Sequence, residues 1–468
     1  MALSSKSSKS DFIPEAGDQQ QLDHGLKGGP AVAELPNLAY PLTSASISPQ
    51  VNSAWSYRDA LAKPRLPISV STVPEKSILP SLTNVSKEPP DFAFISDPDT
   101  LDYLAGVGSK LMIILRGVSG SGKSTLCVRI KKELTEAKVQ VDVASADHFF
   151  NQPDGTYRFN PALLQQAHEA CQRDCERFCA AEESRVVVVD NTNIFEWEFR
   201  PYIQLAHRYH FVTLLIEPRT AWRYDWRQLA KRSTHGVQAS VIESKVEKLK
   251  RNVVIPVYYG FMVSADDSGK LRLLAAKLAR TMLQVDELSQ AADGEADLLV
   301  NEFAKRSDDE LVAWKESDQF HCTAFYTAFG KRLGASEYDK SVVVQQNLGK
   351  HHGLEVLGLL VTPQTISFHV RLNEGQLRLW KQEENVKTPG LPPGSRAHLT
   401  VVTAKGIEAV QAGHDTLKLA ELTALGKPQV TSSIAAGTVF KYAEDFWYLA
   451  RDKPMVVDTV FGGFYSSR

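Results

Sequence analysis

The stretch LMIILRGVSGSGKST, residues 111–125, decides the architecture of the first half of the chain. Leu111 to Arg116 form a short apolar run that stops at a glycine, as a strand buried on both faces would. The next eight residues, Gly117-Val-Ser-Gly120-Ser-Gly122-Lys123-Ser124, satisfy GxxxxGK[ST] in full. Glycines there let backbone N–H groups face phosphate oxygens, and the helix that opens at Lys123 adds favourable charge. Lys123 is expected to reach the β- and γ-phosphates, and Ser124 to hold the magnesium of a bound Mg-ATP or other NTP. Gly117, Gly120, Gly122 and Thr125 complete the expected nucleotide-binding set.

Working outward, VQVDVAS (139–145), RVVVVD (185–190) and HFVTLLIE (210–217) are further strand-like runs. Segments of helical spacing, Lys123–Lys138 and Pro161–Ala181, separate them. Strands alternating with helices predict an α/β domain with a parallel sheet covered on both faces. Asp190 ends its run, where a carboxylate could serve the metal. Asp147, in SADHFF, falls just past the second strand, at the mouth of the sheet where ligands bind. There it can accept a proton from a hydroxyl undergoing phosphorylation, or it can cap a helix. In RTAWRYDWRQLAKR (219–232), Arg223 and Arg227 are four apart, on one face of a predicted helix. That is either a phosphate-clamping lid or a solvated basic helix.

Composition bounds the rest. The net charge of −2 supplies no whole-protein basic field for long nucleic acid. Five cysteines are a poor disulfide framework, so a reducing, cytoplasmic setting is expected. Cys171, Cys175 and Cys179 recur every four residues and read as one buried helical face. There is no signal peptide and no apolar run of transmembrane length, and Ala2 excludes N-myristoylation. Residues 1–90, rich in Ser, Pro, Gly, Gln and Ala, are expected to form a disordered leader.

A helical stretch, Leu271–Leu288, and a small acidic segment, QAADGEAD (290–297), suggest the end of the first domain and a linker. Beyond it LEVLGLLV (354–361), TISFHVR (365–371), AHLTVV (397–402), TVFKYAE (438–444) and PMVVDTVF (454–461) read as strands with helices among them. A separate α+β domain is expected. The organisation is therefore 1–90 leader, 91–289 nucleotide-binding domain and 290–468 second domain.

Two stretches of the second domain share one form, Phe320-His321-Cys-Thr323 and Ala397-His398-Leu-Thr400. Alternation along a strand puts each His and its Thr on one face. Two such strands side by side would gather two imidazoles and two hydroxyls. One neutral His can take a proton from water while a protonated one gives a proton to a departing oxygen, and the threonines can donate to a phosphoryl group. His414-Asp-Thr416 has the same spacing without strand-like flanks and reads as a chance match. His351 and His352 read as a loop-like pair without a role.

The P-loop, SAD (145–147), DNTN (190–193) and the arginine-bearing lid resemble the polynucleotide-kinase branch of P-loop proteins. That resemblance implies Asp147 as general base toward a 5′-hydroxyl and Arg223 or Arg227 as lid arginines. HCT (321–323), GASEY (334–338), LLVTP (359–363), QLRLW (376–380), LPPGSRAHLT (391–400) and EAVQAG (408–413) resemble the 2′,3′-cyclic-nucleotide 3′-phosphodiesterases of the two-histidine phosphoesterase superfamily. LRGVSGSGKST (115–125), EPRTAWR (217–223) and VYYGFM (257–262) extend the likeness into the first half. It implies His321 and His398 as catalytic histidines, His398 the base and His321 the acid, with Thr323 and Thr400 on the phosphate. It also implies Arg396 as a substrate contact and Tyr326 as an aromatic residue near the nucleobase; by pattern Tyr326 reads either as a ring that stacks on a base or as a packed strand aromatic. The expected activity is metal-independent opening of 2′,3′-cyclic phosphates on nucleotides or RNA ends. A bifunctional RNA end-healing enzyme with 5′-kinase activity, and an RNA- or cytoskeleton-binding scaffold, are the alternatives. Mammalian members of the family end in a prenylated cysteine tail. With no cysteine after Cys322, no prenylation box is expected here.

Overall fold

The apolar runs of the first half become four strands, β1 (Lys110–Leu115), β2 (Val141–Ala144), β3 (Val186–Asp190) and β4 (Phe211–Ile216). They are parallel, in the order β2-β3-β1-β4. This computed structural model describes residues 92–466 except 107, 235, 286, 287, 289–298, 314–318, 382–389, 427, 428 and 444. The expected leader at 1–90 and linker at 290–297 lie outside the described residues.

Alternation in β1 sorts its side chains into two cores. Leu111, Ile113 and Leu115 pack with Ile130 and Leu134 of α1 (Lys123–Glu136). Met112 and Ile114 pack with Cys171, Cys175 and Cys179 of α2 (Leu164–Ala180) and Phe199 of α3 (Glu196–Arg208). Every one of these residues is at most 5% exposed, so both faces of the sheet are covered, as its unbroken apolar strands require. The cysteines are free and buried, and serve as small apolar side chains.

The second sheet is antiparallel. β7 (His351–Val361), β8 (Thr365–Arg371), β9 (His398–Thr403), β10 (Gln429–Ile434), β11 (Gly437–Ala443) and β12 (Phe446–Phe464) follow the path β10-β11-β12-β7-β8-β9. β12 is long enough to take β11 beside its first half and β5 (Val257–Val263) beside its second, with β7 along the other edge. β6 (His321–Cys322) pairs with β5. The sequence reading counted VYYGFM with the first domain. The structure hydrogen-bonds it into the second sheet, because its antiparallel partner lies at the far end of the chain, out of reach of local pattern. Likewise His351 and His352 open strand β7 and are not a loop.

Glycine makes the seam between the sheets. A Cβ on Gly462 of β12 would stand 2.8 Å from Cγ1 of Val212 in β4, so only glycine lets these strands approach so closely. Among the described residues, no helix is long and apolar enough to cross a membrane.

Candidate active site

The sheet curls until its edges meet, β6 packing against β9. That closure brings His321 and His398 together although each strand pairs elsewhere, β6 with β5 and β9 with β8. The two imidazoles are close enough that charge on His321 disfavours charge on His398.

Both rings are held the same way. His321 Nδ1 lies 3.2 Å from the carbonyl oxygen of Gln319, and His398 Nδ1 lies 2.7 Å from that of Arg396. In each case the acceptor is two residues upstream. Donation from Nδ1–H leaves Nε2 as the basic nitrogen of the neutral ring. Tyr259 stacks on His321 with centroids 3.7 Å apart and planes 8° from parallel. Burial pushes both imidazoles down to about 4, against the opposing effect of the carbonyl bonds. Arg396 pushes His398 further in the same direction.

Thr400 shares a face with His398 on β9, opposite Ser367 of β8, and is half-buried. Thr323 follows the end of β6 and is also half-buried. Arg396 Nε is buried without a partner, a donor available to an anion. Tyr326 is 54% exposed, so its ring is not a packed strand aromatic.

Three contributors escaped the sequence reading. His369 sits opposite His398 in the β8–β9 register, its Nδ1 3.1 Å from the Tyr448 hydroxyl. Burial pushes His369 down to about 4, and Arg371 and His398 add to the effect. Its position in HVR was visible, but its neighbour was not. Gly413, on α5 (Val410–Ala424), makes room for both key side chains. A Cβ there would stand 3.0 Å from His398 Cε1 and 3.2 Å from Arg396 Nη2. Asp415, on the same helix, accepts from Thr362 and Thr365 at 2.9 and 2.6 Å and ties it to β8. His414, by contrast, is exposed on that helix.

The glycine-rich loop closes as its motif requires. Gly117, Gly120 and Gly122 have φ of 149°, 81° and 98°. These are left-handed values that glycine adopts freely. A Cβ on Gly120 would stand 2.4 Å from the Leu229 carbonyl oxygen. Lys123 Nζ donates to the Val118 carbonyl at 3.2 Å, inside the loop. Burial lowers Lys123 to about 8, while Asp190 and Asp147 pull it back up. Asp190 is raised by burial, with Lys123 and the Ser124 hydroxyl opposing. Asp147 accepts from the Tyr157 hydroxyl at 3.1 Å, and the cap of its short helix is Ser145, so Asp147 is not the capping residue. Thr125 lies in the first turn of α1. These residues fit a Mg-nucleotide: loop backbone for phosphates, Lys123 for their charge, and Ser124 with Asp190 for the metal.

The lid differs from expectation. The helix α4 (Trp226–Arg232) begins after Arg223, because Asp225 caps it by accepting from the Arg227 and Gln228 amides. Arg223 therefore sits in the preceding turn, donating to the Thr220 carbonyl, and does not share a helical face with Arg227. The segment still covers the loop, since Trp222 Nε1 donates to Gly120 and Thr220 Oγ1 to Ser121.

The family model for 2′,3′-cyclic nucleotide 3′-phosphodiesterase matches residues 255–468, and an AAA domain model matches residues 112–256. A mouse protein named 2′,3′-cyclic-nucleotide 3′-phosphodiesterase is 29% identical over 388 residues, covering 81% of this chain and 89% of its own length. A protein of the same name from Pongo abelii is 29% identical over 393 residues, with the same coverage. The chain thus carries a phosphodiesterase domain of the 2′,3′-cyclic-nucleotide 3′-phosphodiesterase family, preceded by an AAA-type P-loop domain.

Proposed function

We propose that the second domain hydrolyses nucleoside or RNA-terminal 2′,3′-cyclic phosphates to 2′-phosphates by paired histidine acid–base catalysis. The observation that carries this reading is the matched pair of imidazoles, each held at Nδ1 by the carbonyl two residues upstream, beside an unpartnered arginine Nε. His398 Nε2 takes a proton from water as its oxygen attacks phosphorus. The bond from phosphorus to O3′ breaks, and His321 Nε2 gives its proton to O3′. Arg396 favours this division of roles, since its charge adds to burial and to the charge of His321 in lowering the proton affinity of His398. The phosphate anion, once bound, favours a proton on His321. Arg396, Thr323 and Thr400 donate to the phosphoryl oxygens, and the exposed ring of Tyr326 takes the base. The test is turnover of 2′,3′-cyclic AMP, with a chelator present, by the protein and by His398→Ala. Near-normal turnover by a folded variant would falsify the assignment.

A second reading concerns the first domain. Asp147 lies close enough to Lys123 to influence its charge, where the P-loop presents a γ-phosphate. This favours phosphoryl transfer to a 5′-hydroxyl end with Asp147 as base, making the chain a two-site RNA end-processing enzyme of the cytoplasm. Transfer of labelled γ-phosphate to a 5′-hydroxyl oligonucleotide, lost in Asp147→Asn, is the expected result. ATP binding without transfer would leave the domain a nucleotide-binding module.

A further inference from the structure

The helix Ala239–Arg251 packs against the phosphate loop and its lid. Its buried residues, Ile242, Val246 and Leu249, share one small core with Val118 of the loop and Leu229 of α4. Spacing of three, four and seven residues makes one stripe of a helix, and Lys245 stands at the edge of that stripe, three residues after Ile242 and four before Leu249. It is half-buried there, and among the described residues it makes no hydrogen bond or ion pair. Other lysines of the helix are engaged, Lys250 with Glu247 at 3.0 Å and Lys248 over the Phe195 ring. Lys245 also lies near the loop lysine: burial lowers the proton affinity of Lys123, Asp190 and Asp147 raise it, and the charge of Lys245 lowers it again. Two ammonium groups thus converge on one glycine-rich loop, and the outer one lacks a partner. Withdrawing a charge from water without a countercharge is costly, so the arrangement suits a polyanion between them. The lid's arginines lie elsewhere, each against a ring of the lid itself: Arg223 over Tyr224, Arg227 over Trp226 and Arg232 over Trp222.

We infer that Lys245 is a phosphate-binding residue of the P-loop site, the cation that meets the β- and γ-phosphates of a bound nucleotide from the side of the lid. The inference rests on the nucleotide-binding reading of the P-loop domain and adds to it a residue outside the glycine-rich motif. Lys123 approaches the phosphates from within the loop, and Lys245 approaches them from a helix 122 residues further along the chain. Because that helix shares its core with Leu229 of α4, a phosphate held by Lys245 also steadies the lid.

The probe is Mg-ATP, titrated calorimetrically into the full chain. Lys245→Met keeps the aliphatic stem and removes the charge, and affinity is expected to fall about tenfold. Lys245→Arg should keep most of it. Lys250→Met, which removes a charge from the same helix at a residue already paired with Glu247, should leave affinity unchanged. A packing role for Lys245 predicts the opposite pattern, since the stem alone would then suffice. The urea midpoint of nucleotide-free Lys245→Met should be no lower than that of the parent, because one of two like charges is gone. Full ATP affinity in folded Lys245→Met, or an equal loss in Lys250→Met, overturns the inference. A second titration uses inorganic tripolyphosphate with magnesium. If Mg-ATP does not bind while tripolyphosphate does, and binds more weakly to Lys245→Met, the nucleotide reading falls and the phosphate contact of Lys245 stands. If neither ligand binds the folded protein, both fall.

Discussion

The two sites of this chain bury their key nitrogens in opposite company. Lys123 sits among acids: burial pushes it down to about 8, and Asp190 and Asp147 pull it back toward the charged form. His398 sits beside Arg396: burial pushes it down to about 4, and charge on His321 or Arg396 pushes the same way, with Asp415 a weaker counterweight. The P-loop domain thus holds its positive charge in advance, anchored by carboxylates that also suit a metal. The phosphodiesterase domain holds two imidazoles whose neutral forms burial favours.

The largest expected effect breaks one side of this comparison and leaves the other intact. His398→Ala or His321→Ala should lower kcat for cyclic phosphate opening by ~10³-fold or more, since each removes one proton-transfer partner. Nucleotide affinity of the P-loop domain should be unchanged, as measured by calorimetry on the same preparations. The reverse experiment is Lys123→Ala. Losing charge-assisted bonds to phosphate should weaken NTP binding by roughly 10–100-fold, with kcat on 2′,3′-cyclic AMP unaffected. A parallel loss of phosphodiesterase rate would show that the two sites do not act separately.

Gly413→Ala sharpens the comparison within the histidine site. The added Cβ would stand 3.0 Å from His398 Cε1 and 3.2 Å from the Arg396 guanidinium, so both must shift by a few tenths of an ångström. Displacements well under 1 Å suffice to cost about tenfold in kcat/KM. Unchanged kinetics in Gly413→Ala would mean that the base is not held as tightly as its 2.7 Å carbonyl bond suggests.

Acid should destabilise the phosphodiesterase side first. His321, His352, His369 and His398 are each pushed down to about 4 by burial, from an ordinary 6.5. Between those values the unfolded chain binds more protons than the folded one. Their neutral forms therefore support the fold above pH 6.5, and that support is lost as pH falls toward 4. Urea midpoints should drop steadily across this window, and His369→Gln should flatten the slope. A 2′-phosphate ligand should protect, with proton uptake visible as a buffer-dependent binding enthalpy. A flat profile would contradict the burial of these rings.

The contrast also explains what could be read from sequence. The phosphate loop is local: eight consecutive residues specify strand end, turn and helix start, so the P-loop geometry was legible without tertiary information. Asp190 was placed by the same logic, because it ends a strand beside β1. The lid helix was overextended, because four-residue spacing alone does not show that Asp225 caps a helix starting after Arg223. The histidine site is non-local. Each His-x-Thr segment was visible, but β6 is only two residues long and its partner β5 lay in a stretch assigned to the other domain. His369 and Gly413 enter the site through register and helix packing, and no spacing rule points to either.

The smallest expected effect tests whether the motif or its setting carries the chemistry. His414-Asp415-Thr416 repeats the His-x-Thr spacing, but on α5. Two residues along a helix are about 200° apart, so His414 and Thr416 cannot share a face as they would on a strand. Thr416 is instead buried and donates to the Ala412 carbonyl at 2.8 Å, while His414 is exposed. Partial burial lowers the proton affinity of His414, and the charge of Arg396 reaches it and adds to the effect. Through that coupling His414→Ala should change kcat/KM by no more than about twofold. Asp415→Asn should do more, since it weakens the carboxylate that receives Thr362 and Thr365 and holds the helix bearing Gly413 against β8. Were His414→Ala instead to match His398→Ala, the curled sheet edge could not be what gives two of the three His-x-Thr segments their function.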